Sequence, residues 1–192
     1  MWLAAPSQPA DYEGPMKTFA KIALAAALAT SVALPPTMAW SQDKPKKNWT
    51  APAQKIYGQK LAEEAMKKHP ELLSITLHGV PPDEKDVYTM FAGSYLDRIG
   101  NADDPDDIDV IKKGITILDP RWHRTKDTDK KFVVLMPMQD KAGENVGLVV
   151  YAFKNPPRMT GMEEHYLRES MKLRNELAKK IPSYSALFDL AK

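Results

Sequence analysis

The chain has 192 residues, and its 27 lysines and arginines nearly balance its 25 aspartates and glutamates, which gives a formal net charge of +2. This balance lacks the strong basic footprint of proteins that bind nucleic acids or anionic membranes. The sequence has no cysteine, so disulfides and cysteine nucleophiles are excluded and the hydrophobic core must stabilise the fold by itself.

A secretory signal peptide is predicted at residues 16–39. Two lysines form its positive start, an apolar run of 13 residues follows at 22–34, and small residues offer a cleavage site at Ala39. The apolar run is too short to span a bilayer comfortably, and it is typical of a signal peptide. We therefore predict a periplasmic protein that is not inserted in the membrane after cleavage. An uncleaved N-terminal anchor is the alternative, which the Pro35-Pro36 break disfavours.

The rest of the chain divides into three segments. Residues 1–15 show no targeting pattern and are interpreted as an upstream extension that is not native. Residues 40–52, "WSQDKPKKNWTAP", are polar and rich in Lys and Pro, which predicts a flexible leader. Residues 53–192 are numerous enough for a single domain of ordinary size.

The domain is predicted to begin with a helix and two strands. Apolar residues recur every four positions from Ala53 to Ala65, and Pro70 ends this helix. The next segment, "LLSITLHGV", alternates and predicts a strand with one apolar and one polar face. The apolar face would carry Leu73, Ile75 and Leu77, and the polar face Ser74, Thr76 and His78. The following "DVYTMFAGS" predicts a second strand that is apolar on both faces.

A short helix and a hairpin are predicted next. The helix begins at Asp104 and Pro105 and ends at Gly114, in agreement with the residues favoured at helix ends. "ITILDP" predicts a brief strand before a polar loop. Two apolar strands at 132–138 and 146–153 then form a hairpin through the turn "QDKAGEN".

The order of these elements predicts an α+β fold. A long amphipathic helix at 161–181 and a short helix after Pro182 complete the chain. The apolar stripe of the long helix comprises Met162, Tyr166, Ser170, Leu173 and Leu177. No connection is long and regular enough for a parallel sheet, so we expect a central antiparallel sheet of about five strands with a helix at each end of the chain. The two hairpin strands are apolar on both faces, as expected of central strands.

A cluster of five aspartates between residues 103 and 109 has two interpretations. Asp104 would cap the short helix, Pro105 would occupy its first position, and the acids after it would favour the positive end of the helix dipole. A calcium loop is the alternative, but such loops need a glycine at the bend, and Pro105 restricts the backbone here. The sequence therefore favours the helix cap over calcium.

No motif for catalysis or for a histidine metal site is found. The four histidines are scattered, with neither an HExxH motif nor a pair four residues apart. Ser94 lacks the Gly-x-Ser-x-Gly elbow, and no glycine-rich loop is suited to a phosphate. We predict that the protein is not an enzyme, has no cofactor and has no metal site. The alternative is an enzyme or a metal- or haem-binding protein, for which His78, His123 and the aspartate loop are the candidate residues.

Polar and aromatic residues near the strand ends are the candidate ligand-binding residues. Aromatic walls with one or two arginine donors suit a small carboxylate or amino-acid-like ligand, because arginine binds a carboxylate through two hydrogen bonds. The alternative is that these residues cap the core or, for Arg98, pair with the aspartates. The predicted ligand-binding set is Tyr88, Ser94, Tyr95, Arg98, Arg121, Trp122 and His78.

Three stretches of the sequence resemble bacterial exported domains of the Cache and PAS-like sensory group. They are "RIGNADDPDDIDVIKKG", "KKFVVLMPMQDKAGENVGLVVYAF" and "RNELAKKIPSYSALFD". The final hairpin motif of that group matches residues 133–150, with Pro137, Asp140, Gly143 and Gly147 in place. The resemblance covers residues 53–190 and implies a PAS/Cache-like (profilin-like) fold, with the ligand between the sheet and a crossing segment at about 95–126.

The resemblance also implies a sensory function. The chain departs from amino-acid-binding Cache domains, because "PRWH" is only a fragment of their aromatic-Arg-Trp-Tyr-Asp set. No output module is attached, so we expect a free-standing periplasmic domain that binds a small molecule and passes its state to a membrane-bound signalling protein. The alternative is an interaction module without a small ligand, which binds a membrane partner through an open sheet edge or the long C-terminal helix.

Overall fold

The computed structural model describes residues 46–120, 130–154 and 161–192. The helices in these ranges are α1 Tyr57–Lys68, α2 Pro105–Lys113 and α3 Met162–Ala178. The strands are β1 Leu72–Gly79, β2 Thr89–Gly93, β3 Ile117–Pro120, β4 Lys131–Gln139 and β5 Asn145–Lys154. Short 3₁₀ helices lie at Leu96–Arg98 and Ser185–Phe188.

The five strands form one antiparallel sheet in the order β2-β1-β5-β4-β3. This architecture confirms the predicted α+β fold class and the predicted order of elements. β4 and β5 each have a strand on both sides, which confirms that the apolar hairpin strands are internal. A strand that is apolar on both faces needs cover on both, and an internal position with helices above and below supplies it.

The main face of the sheet packs against α1 and α3 and holds most of the hydrophobic core. It is formed by alternate residues of β1, β4 and β5, including Ile75, Leu77, Val134 and Tyr151. Four residues of the predicted stripe of α3 are buried, Tyr166, Ser170, Leu173 and Leu177, and the fifth, Met162, packs against the core partly buried.

The opposite face, called here the cavity face, carries a smaller apolar cluster. Val133, Leu135, Leu148 and Ala152 pack there with Val110 of α2. Because α2 is only nine residues long, it covers part of this face, and the remainder borders a cavity.

The start of β1 differs from the predicted alternation. The pairing with β5 shifts between Leu72 and Ser74, which indicates a bulge. As a result Leu72, not Leu73, joins Ile75 in the main core, and Leu73 packs on the cavity face. A bulge adds one residue to a strand and so moves the side chains before it to the other face.

Two local predictions about the connections are confirmed. Gly114 ends α2 in a left-handed conformation, with φ +66°. In the β4–β5 turn, Asp140 Oδ1 accepts hydrogen bonds from the backbone N–H groups of Ala142 and Glu144, and Gly143 has φ +85°. Local side-chain hydrogen bonds and one glycine of positive φ therefore set this hairpin.

The leader predicted at 40–52 contacts the domain near Trp49. The backbone N–H groups of Asn48 and Trp49 donate to the Gly100 carbonyl, and the Trp49 ring packs edge-on to Phe188 at 6.3 Å. Residues 48 and 49 therefore pack against the domain, because the half-buried Trp49 indole adds apolar contact area that a polar composition does not reveal.

The predicted signal peptide and upstream extension, residues 1–39, lie outside the described residues. Within the described part of the chain, no helix combines the length and hydrophobicity that crossing a bilayer requires.

Tyr151, which is buried, and Tyr184, which is half-buried, are expected to respond in opposite directions to loss of the hydroxyl group. Among the described residues, the Tyr151 hydroxyl has no hydrogen-bond partner, whereas the Tyr184 hydroxyl donates to the Val80 carbonyl at 2.6 Å. Tyr151→Phe should raise the free energy of unfolding by about 1 kcal/mol, and Tyr184→Phe should lower it by about 1 kcal/mol. Urea denaturation of both variants measures the difference. An equal decrease in the free energy of unfolding of both variants would show that the Tyr151 hydroxyl has a hydrogen-bond partner.

Candidate functional site

A cavity of about 840 Å³ lies on the cavity face of the sheet. Its floor comes from β1, β4 and β5, and one wall is the chain from Tyr95 to Asp107. This volume is in the range of small-molecule sites in proteins. The floor residues are Ser74, Thr76, His78, Val133, Leu135, Val150 and Ala152.

The polar part of the floor follows from the alternation of β1. Ile75 and Leu77 are fully buried in the main core, so Ser74, Thr76 and His78 project to the other face. All three are nearly inaccessible, with 8% exposure or less. Three buried polar side chains in succession on an internal strand are costly unless polar partners face them.

The wall is held close to the floor by its pairing with β2. After the 3₁₀ helix the chain returns to the start of β2, where the Thr89 hydroxyl donates to the Asn101 carbonyl and the Asp103 N–H donates to the Tyr88 carbonyl. This return places Asp103 above His78, immediately before α2 begins at Pro105.

His78, Asp103 and Asp107 form a cluster that we call the acidic corner. His78 Nδ1 lies 2.7 Å from Asp103 Oδ1 and 4.0 Å from Asp107 Oδ2. The other ring nitrogen, Nε2, lies 2.7 Å from the Thr76 hydroxyl oxygen. The imidazole is therefore fixed at both nitrogens by buried groups.

Burial and charge act against each other in the acidic corner. Burial opposes protonation of His78, but the hydrogen bond and negative charge of Asp103 outweigh it and raise the pKa of His78 above its usual range. Burial together with the neighbouring Asp103 charge raises the pKa of Asp107 to about 6, although His78 opposes this shift. The corner thus holds two close carboxylates, which favours a positively charged group beside them.

The aspartate cluster serves the helix cap and also contributes to the site. Asp104 is the N-cap of α2, and the Asp107 carboxylate accepts a hydrogen bond from the Asp104 backbone N–H at 3.3 Å. The cap interpretation is therefore confirmed. Asp103 and Asp107 also face His78, a contact that the cap interpretation did not include.

Three of the predicted ligand-binding residues line the cavity: His78, Tyr95 and Arg98. The Arg98 guanidinium lies 4.4 Å from the centre of the Tyr95 ring, and within the described residues it makes no ion pair with the aspartates. Tyr95 and Arg98 therefore form one cation–π pair on the wall.

The remaining predicted residues are placed elsewhere or are not described. Tyr88 is not among the cavity-lining residues, and Lys112 Nζ lies 4.9 Å from the centre of its ring. The Ser94 hydroxyl bonds the backbone N–H and carbonyl of Ile75, so it joins β2 to β1 instead of facing the cavity. Arg121 and Trp122, with His123 of the metal alternative, lie outside the described residues.

Sequence reasoning missed several lining residues. The aspartates that include Asp103 and Asp107 were assigned to the helix cap and appeared beside His78 only in the metal alternative, and Lys47, Asn101 and Lys131 were not considered. The polar face predicted for β1 could have been used to identify Thr76 and His78 as cavity-lining residues. No spacing rule could pair His78 with Asp103, since 25 positions separate them and the return of the wall brings them together.

No protein-family model matches the chain, and no curated protein matches it significantly. Similar solved structures include the GAF domain of a two-component sensor histidine kinase from Bacillus halodurans, at 12% identity and a TM-score of 0.41, covering 62% of this chain and 89% of that one. Another is the E. coli DcuS sensor domain, at 16% identity and a TM-score of 0.35, covering 61% and 71%. A third is a type II free methionine-R-sulfoxide reductase from Thermoplasma acidophilum, at 12% identity and a TM-score of 0.39, covering 64% and 90%.

These similarities are to sensor domains and to an enzyme. At TM-scores of 0.41 or below they do not indicate what this chain binds or does. The assignment to the Cache group and the absence of enzymatic activity therefore stay predictions.

Proposed function

We propose that this chain is a sensory domain that binds a small molecule in the cavity on the cavity face of the sheet. The observation that carries this proposal is the contrast between the two faces of β1. The main face buries only apolar side chains of this strand, whereas the cavity face buries Ser74, Thr76 and His78 beside a cavity of about 840 Å³. A site kept open and lined with fixed polar groups is suited to a ligand.

The charges of the lining support an amino-acid-like ligand. The acidic corner offers carboxylates to an ammonium group, and Arg98, Lys47 and Lys131 offer cations to a carboxylate. A ligand that carries both charges can satisfy both sets, and an arginine can hold its carboxylate through two hydrogen bonds. A purely anionic ligand would leave the acidic corner unmatched.

The proposed setting is the periplasm, and the proposed partner is a membrane-bound signalling protein. The predicted signal peptide at residues 16–39 supports export. Cell fractionation tests the location, and co-purification from membranes with and without the ligand tests the partner.

Thermal unfolding of the purified chain tests the ligand proposal. The panel contains amino acids, organic acids, polyamines, haem and divalent metals. At a ligand concentration about 100 times Kd, binding to the folded state should raise Tm by about 5–10 °C. We expect the shift with an amino-acid-like compound and its loss in Arg98→Ala. The matched control is Arg168→Ala on the exposed side of α3, which should keep the full shift.

A flat response to every organic compound would contradict the proposal and favour the interaction module. A shift that survives unchanged in Arg98→Ala and also in Tyr95→Ala would place the ligand outside this cavity wall. Either result would redirect the search to protein partners or to another surface.

A further inference from the structure

The buried Asp103 carboxylate has an unused acceptor. Its side chain is 0% exposed, and Oδ1 is bonded to His78 Nδ1. Among the described residues, Oδ2 has no hydrogen-bond partner. A buried carboxylate oxygen without a donor is unfavourable, and proteins normally satisfy such an atom with a donor or a cation.

The side chains around this oxygen have the chemistry and spacing of metal ligands. One nitrogen or oxygen from each of His78, Asp103 and Asp107 lies within 4.8 Å of the others. Metal ions bind such atoms at about 2.0–2.2 Å, so two ligands of one ion lie roughly 3–4 Å apart. Placing an ion between His78 Nδ1 and Asp103 Oδ1, now 2.7 Å apart, requires a movement of about half an ångström.

The Thr76 hydroxyl prepares the imidazole for this role. In the metal-free site Nδ1 donates to Asp103. A bound metal ion would displace that proton, and an Nε2–H donated to Thr76 would then keep the remaining proton on Nε2 and leave the Nδ1 lone pair for the metal. A hydrogen bond to the second ring nitrogen is the usual device that fixes the tautomer and orientation of a metal-binding histidine.

We propose that the acidic corner binds one divalent transition-metal ion, with His78, Asp103 and Asp107 as its protein ligands. The imidazole nitrogen favours a metal such as Zn²⁺ or Mn²⁺ over Ca²⁺ and Mg²⁺, which take oxygen ligands. Three protein ligands leave further coordination positions on the cavity side. Asp104 and Asp106 lie beside Asp107 and add negative charge that attracts a cation.

This site overlaps that of the proposed function at the acidic corner, where an ion would take the place of the ligand's ammonium group. An ion can still occupy the corner while the rest of the cavity is empty, and an organic ligand can bind when no ion is present. The two proposals therefore fail separately, since one is tested with organic compounds and the other with metal alone.

Isothermal titration of the chelator-treated, purified chain with ZnCl₂ and with MnCl₂ tests the inference. We expect one ion per chain for at least one of these metals. Asp103→Asn and His78→Gln should each weaken its affinity by more than about 100-fold, because even groups that only orient the ligands are commonly worth about 10–100-fold. Asp97→Asn is the matched control, because Asp97 lines the same cavity but lies outside the acidic corner. The metal affinity of this variant should differ from that of the unmodified chain by less than about twofold.

Circular dichroism of each variant must show the folded state, and Asp107→Asn replaces any variant that does not fold, since Asp107 is less buried than Asp103. Two results would overturn the inference. One is the absence of binding of either metal to the unmodified chain. The other is unchanged affinity in the folded corner variants, which would place the ion at another site such as the surface pair of His69 and Glu176.

Discussion

Replacing Gly147 with alanine should lower the free energy of unfolding by about 2–6 kcal/mol, because strained backbone and overpacking each cost about 1–3 kcal/mol. Gly147 lies in β5 with φ +142°, a conformation that residues with a side chain rarely adopt. A Cβ added there would lie 2.6 Å from the carbonyl oxygen of His78 in the adjacent strand. Neither the strand nor this backbone atom can move without disturbing the sheet.

Urea denaturation of Gly147→Ala, followed by circular dichroism, measures this loss. The matched control is Gly143→Ala in the β4–β5 turn, where φ is +85° and no atom lies within 4 Å of the added Cβ. The control should lose only about 1–2 kcal/mol, the cost of the left-handed conformation alone. Equal losses in the two variants would show that the close approach to His78 is unimportant.

Gly147→Ala also has an expected effect on the candidate site. Any shift of the His78 backbone moves the imidazole relative to Asp103, which it now contacts at 2.7 Å. Gly147→Ala should therefore weaken ligand and metal binding in the fraction of protein that still folds, whereas Gly143→Ala should not.

Replacing Gln59 with leucine should lower the free energy of unfolding by about 2–6 kcal/mol, because two buried backbone groups lose their partner and each costs about 1–3 kcal/mol. Gln59 lies on the buried side of α1. Its side-chain amide donates to the Gly93 carbonyl at 3.1 Å, and its carbonyl oxygen accepts from the Gly93 N–H at 2.9 Å. Leucine has a similar volume, so the change removes the hydrogen bonds and largely keeps the packing.

Differential scanning calorimetry of Gln59→Leu and Gln54→Leu tests this expectation. Gln54 is exposed, and its replacement should change stability by no more than about 0.5 kcal/mol. Similar stability of the two variants would show that water replaces the side chain at Gly93. The Gln59 contact is also where α1 holds the end of β2, from which the cavity wall departs at Tyr95.

The sequence predicted the elements because their signals are local. The alternation of β1, the cap at Asp104, and the Asp140 turn each depend on residues within a few positions of one another. The burial of both faces of β4 and β5 was also predictable, since continuous apolar composition indicates an internal strand.

The sequence did not reveal the contacts between distant segments. The bulge near Leu72 depends on pairing with β5, so the alternation alone assigned Leu73 to the wrong face. Trp49 was assigned to a flexible leader because its partner, Phe188, lies near the other end of the chain. Ser94 was a reasonable ligand candidate by position, but its hydroxyl bonds the backbone of Ile75.

By itself, the sequence determined that this is an α+β protein with an internal apolar hairpin, a polar face on β1 and a capped α2. Only the tertiary structure decided which side chains contact that polar face. The wall returns to β2 and brings Asp103 over His78 from 25 positions away, and the short α2 leaves the adjoining floor uncovered. Local patterns fix which way a side chain points relative to its own strand, but the partner opposite it depends on how the whole chain closes.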